Sequence, residues 1–160
     1  MKIKILILAS FLFCSCTGSI GAGSLGGWDI MVFPVKEPKL DSAINSFFID
    51  SAKYGVPKKW EYESEFWKRG GYDFLKARCF YFNATPEEMY YISYISAGTG
   101  GNPDWTRLSV RAVYSEKMGW REKEEYSKIE QIRIQKRFNK FICNSLEFYT
   151  GVRSFVLQER

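Results

Sequence analysis

The segment Arg107-Leu-Ser-Val-Arg-Ala-Val-Tyr114 decides how this chain is read. Along an extended backbone Leu108, Val110, Ala112 and Tyr114 share one side, and Arg107, Ser109, Arg111 and Val113 share the other. Successive side chains of a strand point to opposite faces, so a period of two marks a strand buried on one side. Three segments upstream read the same way. Residues 58–67 alternate Trp60, Tyr62, Ser64 and Phe66 with charged neighbours. Residues 74–82 set Leu75, Ala77, Cys79 and Tyr81 against Lys76, Arg78, Phe80 and Phe82, and residues 89–96 are rich in tyrosine and isoleucine. The aromatic and β-branched content argues for a four-stranded antiparallel sheet. Lys68-Arg-Gly-Gly71 suits a hairpin between the first two strands, and Thr85-Pro-Glu-Glu88 suits a single helical turn.

Helical spacing flanks this block on both sides. Over residues 38–54, Leu40, Ile44, Phe47, Ser51 and Tyr54 recur at the helical period, with Ala43 and Phe48 widening the stripe. Gly55 and Pro57 then forbid continuation. Over residues 122–149, Ile134, Phe138, Phe141, Ile142, Ser145 and Tyr149 form a second stripe, and Gly151 is a suitable stop. Arg133, Lys136, Arg137 and Lys140 lie roughly opposite that stripe, a basic face suited to lipid phosphates or to an acidic protein. Residues 29–35 add one short strand. The order predicts a single α+β domain over residues 28–160. Its architecture is a two-layer sandwich of a four-stranded antiparallel sheet, with two long helices flanking it in sequence.

The chain begins with Lys2 and Lys4, followed by an apolar run from Ile5 to Phe13. That run is too short to cross a hydrocarbon core of about 30 Å, and it reads as an export signal. Its end, Leu12-Phe13-Cys14-Ser15-Cys16, resembles the lipobox of bacterial prolipoproteins, although Phe13 stands where that family usually has an aliphatic residue. The resemblance implies removal of residues 1–15 as a signal peptide and acylation of Cys16. It also implies attachment to the membrane through lipid. Residues 17–27 carry five glycines, a tether with a reach of about 15 to 20 Å. Thr17, rather than aspartate, follows the cysteine. By the sorting pattern of enterobacterial lipoproteins this implies the periplasmic face of the outer membrane. The competing reading is an exported protein cut by the ordinary signal peptidase near Ala22, but no A-x-A-like site precedes the glycines.

Loss of Lys2 and Lys4 lowers the formal charge of +5 by two. A mildly basic chain in the envelope is not expected to bind nucleic acid. With Cys14 removed and Cys16 acylated, Cys79 and Cys143 remain as an even pair in an oxidising compartment, which predicts a disulfide. Closing so long a loop is worth about 4 kcal/mol on the chain-entropy argument. The chain contains no histidine. Ser-His-Asp, Cys-His and H-E-x-x-H arrangements are therefore excluded. No metal site and no cofactor are expected.

Carboxylate chemistry survives that exclusion. Glu63/Glu65, Glu87/Glu88 and Glu124/Glu125 are close in sequence, and Glu63 and Glu65 would share one side of a strand. Two carboxylates about 5 to 9.5 Å apart hydrolyse glycosidic bonds, so an enzyme of cell-wall glycan is the competing function. The loop Gly98-Thr-Gly-Gly-Asn-Pro103 lacks the helix and lysine of a phosphate loop, but Trp105 at its edge is placed for contact. Aromatics make up 18% of the chain, more than a small core needs. Tying Cys79 to the second helix would turn Leu75 and Ala77 toward the helices and put Phe80 and Phe82, with Tyr90 and Tyr94, on the other side. A non-enzymatic protein that binds an envelope partner through Phe80, Phe82, Tyr90, Tyr94 and Trp105 is the function these observations favour.

Overall fold

In the computed structural model, which describes residues 25–97 and 102–158, the alternating segment becomes the ten-residue strand Thr106–Ser115 at the heart of a sheet. In chain order the elements are β1 (Met31–Phe33), α1 (Glu37–Asp50), the short helices α2 (Glu61–Ser64) and α3 (Phe66–Arg69), β2 (Ala77–Phe82), β3 (Glu88–Ser96), β4 (Thr106–Ser115), β5 (Gly119–Arg121), α4 (Lys128–Phe138), α5 (Asn144–Thr150) and β6 (Phe155–Val156). A π-helical turn, Asn139–Cys143, joins α4 to α5. The strand order is β2-β3-β4-β1-β6, with β5 also paired to β4, and every pairing is antiparallel.

The fold class is α+β with an antiparallel sheet, but six strands replace the expected four. Strands β5 and β6 are three and two residues long, too short to carry a hydrophobic alternation. Residues 58–67 are helical rather than extended. Trp60 and Trp67 are both buried there, seven residues apart, which is two helical turns. The 68–71 stretch closes α3 instead of forming a hairpin, and residues 85–88 lead into β3 through a cis Thr85–Pro86 bond rather than a helical turn.

Both long helices cover one face of the sheet. Leu40, Ala43, Ile44 and Phe47 of α1 pack with Ile134, Phe138, Ile142 and Leu146 against Phe80, Phe82, Tyr90, Ile92 and Tyr94. The first helix is close to its expected span. The second starts later, where Ser127 Oγ accepts the Glu130 amide as an N-cap. The extra residue of the π turn moves Phe141 off the buried stripe and leaves it partly exposed. Gly151, at φ +72°, closes α5 in the left-handed conformation that favours glycine.

A β-bulge changes which residues of β4 face the helices. Tyr91 pairs with Ala112 but Ile92 pairs with Val110, so Arg111 is the inserted residue. The slip returns Val113 to the helix side with Leu108 and Val110, and turns Ala112 and Tyr114 to the other face. Gly26, at φ +87°, runs against the bulge. A Cβ there would lie 2.5 Å from the Arg111 Cα, which only glycine avoids.

The expected basic face divides in two. Arg133 and Arg137 of α4 turn toward the sheet and grip the buried Glu88 of β3, with N–O distances of 2.5 and 2.9 Å. Arg137 also donates to the carbonyls of Pro86 and Thr85. Lys136 and Lys140 stay exposed. No helix among the described residues is long and apolar enough to cross a membrane.

Candidate binding surface

Phe80, Phe82, Tyr90 and Tyr94 are not at a surface. All four are buried between the sheet and the helices, which corrects the expectation that they form a binding face. Phe80 lies against Phe47 and Phe48 at 5.6 and 4.8 Å between ring centroids. Tyr90 donates to Glu88 and Tyr94 to Asp41. Burial first, then these neighbouring carboxylates, pushes both phenols well above their ordinary range. Trp105 is half-buried and sits edge-on to Phe155 of β6, away from the other four. Cys16 and loop residues 98–101 lie outside the described residues.

The expected disulfide is also corrected. Cys79 and Cys143 are both free, and the sheet lies between them. Cys143 belongs to the helix-side core. Cys79 points to the opposite face, beside Trp60, Tyr81 and Met89, and its thiol donates to the Ser64 carbonyl at 3.7 Å. Burial pushes the Cys79 thiol up to about 12 and the Cys143 thiol higher still. Marking the helix side by Cys79, rather than by the larger Phe80 and Phe82 rings, inverts the two faces. The larger rings bury more apolar area, and the deeper core took them.

The second face carries a contiguous group of exposed aromatics, while Phe141, Phe148 and Phe155 are exposed elsewhere. Helices α2 and α3 lay Trp60 and Trp67 onto Tyr81, Met89, Tyr91 and Ala112. Trp67 stacks on Tyr91 at 5.4 Å and 20° between planes. The Trp120 indole donates to the Glu63 carbonyl at 3.1 Å and ties β5 to α2. Over this foundation Phe66, Tyr72 and Phe74 form a run of touching rings through Trp67, and Tyr62 stands one helical turn before Phe66. Tyr62 is 72% exposed, Phe66 45%, Tyr72 37% and Phe74 74%.

One exposed guanidinium, Arg69, and one buried guanidinium, Arg111, support these rings. Arg69 lies 3.7 Å above the Tyr62 ring and donates to the Tyr62 carbonyl. Arg111, the bulge residue, sits 5.4 Å from the Trp67 ring and 5.2 Å from the Tyr72 ring. Arginine over an aromatic face is an electrostatic attraction that fixes both groups. The arrangement therefore offers rings held from behind by Arg111, with the exposed Arg69 alongside.

The expected carboxylate pair does not share a strand side. Glu63 lies in α2, Glu65 lies between the two short helices, and Glu65 pairs with Lys68 at 3.0 Å. Among the described residues no group of three or more His, Cys, Asp or Glu side chains is placed to hold a metal ion. Sequence reasoning missed Tyr62, Phe66, Tyr72 and Phe74 as a group. The available signal was the seven-residue spacing of Trp60 and Trp67, which makes the rings between and after them the outward ones. No family model, curated protein or solved structure matches the chain.

Proposed function

We propose that this protein is a non-catalytic, lipid-anchored component of the bacterial cell envelope that binds a protein partner through Tyr62, Phe66, Tyr72 and Phe74. The observation that carries the reading is the run of exposed rings on a rigid aromatic base, with Arg69 exposed among them and Arg111 buried behind Trp67 and Tyr72. Exposed apolar patches of this kind mark interaction sites, and tyrosine, tryptophan and arginine dominate binding energy at protein interfaces. The exposed Arg69 suits a partner that presents apolar and acidic groups together. Acylation of Cys16 holds the domain at the membrane, on the periplasmic face of the outer membrane.

A photo-crosslinking side chain placed at Phe66 or Phe74 in living cells tests the surface, with Lys39 on α1 as the exposed control. The expected result is one discrete adduct from positions 66 and 74 and none from position 39. Absence of adducts at both ring positions, or the same pattern at the control, refutes the surface. Metabolic palmitate labelling of the parent and of Cys16→Ser tests the anchor. Label retained in the variant refutes it.

A further inference from the structure

We propose that the cleft at Trp28 and the outer side of α4 form a second surface, one that binds the headgroups of an anionic lipid bilayer; this rests on the anchoring at Cys16. The cleft has a volume of about 290 Å³; Trp28, Lys123, Gln131, Ile132, Gln135 and Lys136 line it, together with Asp29. Trp28 is only 3% exposed, and among the described residues its buried indole Nε1 has no hydrogen-bond acceptor.

The polar groups of the cleft narrow the class of ligand. The Gln131 amide is committed to the carbonyls of Lys123 and Tyr126, both at 2.9 Å. The Gln135 oxygen accepts from the Asp29 amide. Lys123 gives one hydrogen to the Gly27 carbonyl at 2.7 Å and keeps two more. The ammonium groups of Lys123 and Lys136, set against the single lining carboxylate of Asp29, suit an oxyanion such as a headgroup phosphate.

What surrounds the cleft makes a bilayer its source. On α4, Ile129 is 79% exposed and Ile132 is 56% exposed, three residues apart on one side of the helix. Lys128 and Lys136 flank them and are exposed. Exposed isoleucines between lysines are the pattern of a helix that lies in a membrane interface, with lysines at the headgroups. The chain also delivers the cleft to the bilayer. Nine residue steps separate Cys16 from Leu25, so an acylated Cys16 holds the start of the fold within about 32 Å of the membrane. The aromatic surface lies across the sheet from α4 and would face away from the bilayer, toward a partner.

The test uses residues 16–160 carrying Cys16→Ser, so that no acyl group contributes, sedimented with vesicles. The vesicles are phosphatidylcholine alone, or phosphatidylcholine mixed with phosphatidylglycerol. Binding is expected only with the anionic vesicles, and it weakens as salt is raised. Each lysine near an anionic surface contributes about a fivefold factor, so Lys123→Gln with Lys136→Gln lowers partitioning about thirtyfold. Ile129→Ser with Ile132→Ser lowers it as well, while Ile49→Ser, at an isoleucine of α1 that is 80% exposed, leaves it unchanged. No binding, equal binding to both vesicles, or unchanged binding by the lysine variant overturns the proposal. Inorganic phosphate that raises the melting temperature without any vesicle binding assigns the cleft to a free oxyanion and also overturns it. Palmitate labelling tests the anchor alone, and vesicle binding of the non-acylated chain tests this surface alone.

Discussion

Replacing Phe80 with alanine separates the two aromatic populations of this protein. Phe80 is fully buried, packed between Phe47 and Phe48, and opposite Tyr90 across the β2–β3 ladder. Its neighbours belong to a sheet and a helix, which do not move easily to fill the space. Truncation therefore removes transfer energy and leaves a cavity, at a cost of about 3 to 5 kcal/mol. Unfolding entropy near 2.1 cal/mol/K per residue over a fold of about 130 residues turns that into a fall in Tm of about 11 to 18 °C. Phe74→Ala is the matched control. Its ring is 74% exposed, so the change should stay within about 0.5 kcal/mol, or about 2 °C. Calorimetry and urea denaturation of both variants measure the contrast. A loss below about 1 kcal/mol for Phe80→Ala, or a comparable loss for Phe74→Ala, refutes the assignment of faces.

Glu88→Ala leaves Arg133 and Arg137 without the buried carboxylate they share, and should cost about 3 to 5 kcal/mol in urea denaturation. A loss within about 0.5 kcal/mol would mean that the two arginines find water instead. Cys79 and Cys143 should both resist alkylation in the native protein at neutral pH and both react after unfolding; a linked peptide in a non-reduced digest would refute this. The Cys79 thiol, with an ordinary value of 9.0, is raised to about 12 by burial, so its stabilising contribution is full below pH 9 and is lost as the pH rises toward 12. Tyr91, raised to about 12 from 10.0 by burial and then by Cys79, acts in the same direction over the upper part of that window. The urea midpoint should accordingly fall between pH 9 and pH 11, and an unchanged midpoint would refute the burial of these groups.

The sequence alone determined the fold class, the first helix and the three central strands, because long periodic segments carry their own signal in side-chain spacing. Leu40, Ile44 and Phe47 are buried as their spacing requires, and residues 77–82, 88–96 and 106–115 pair in order. Tertiary structure decided the rest. A two-residue strand such as Phe155–Val156 has no period to detect, and it exists because β1 offers an open edge. Residues 60–67 satisfy a period of two and a period of seven at once, and the sheet's need for a cover over Tyr91 and Ala112 selected the helix. Which side of β2 faces the long helices was equally undetermined, since both sides carry rings. Burial of the larger rings settled it, separating the two cysteines and moving the exposed aromatic surface to Tyr62, Phe66, Tyr72 and Phe74. Alternation fixes which residues share a face, but only the packing of distant segments fixes which face is inside.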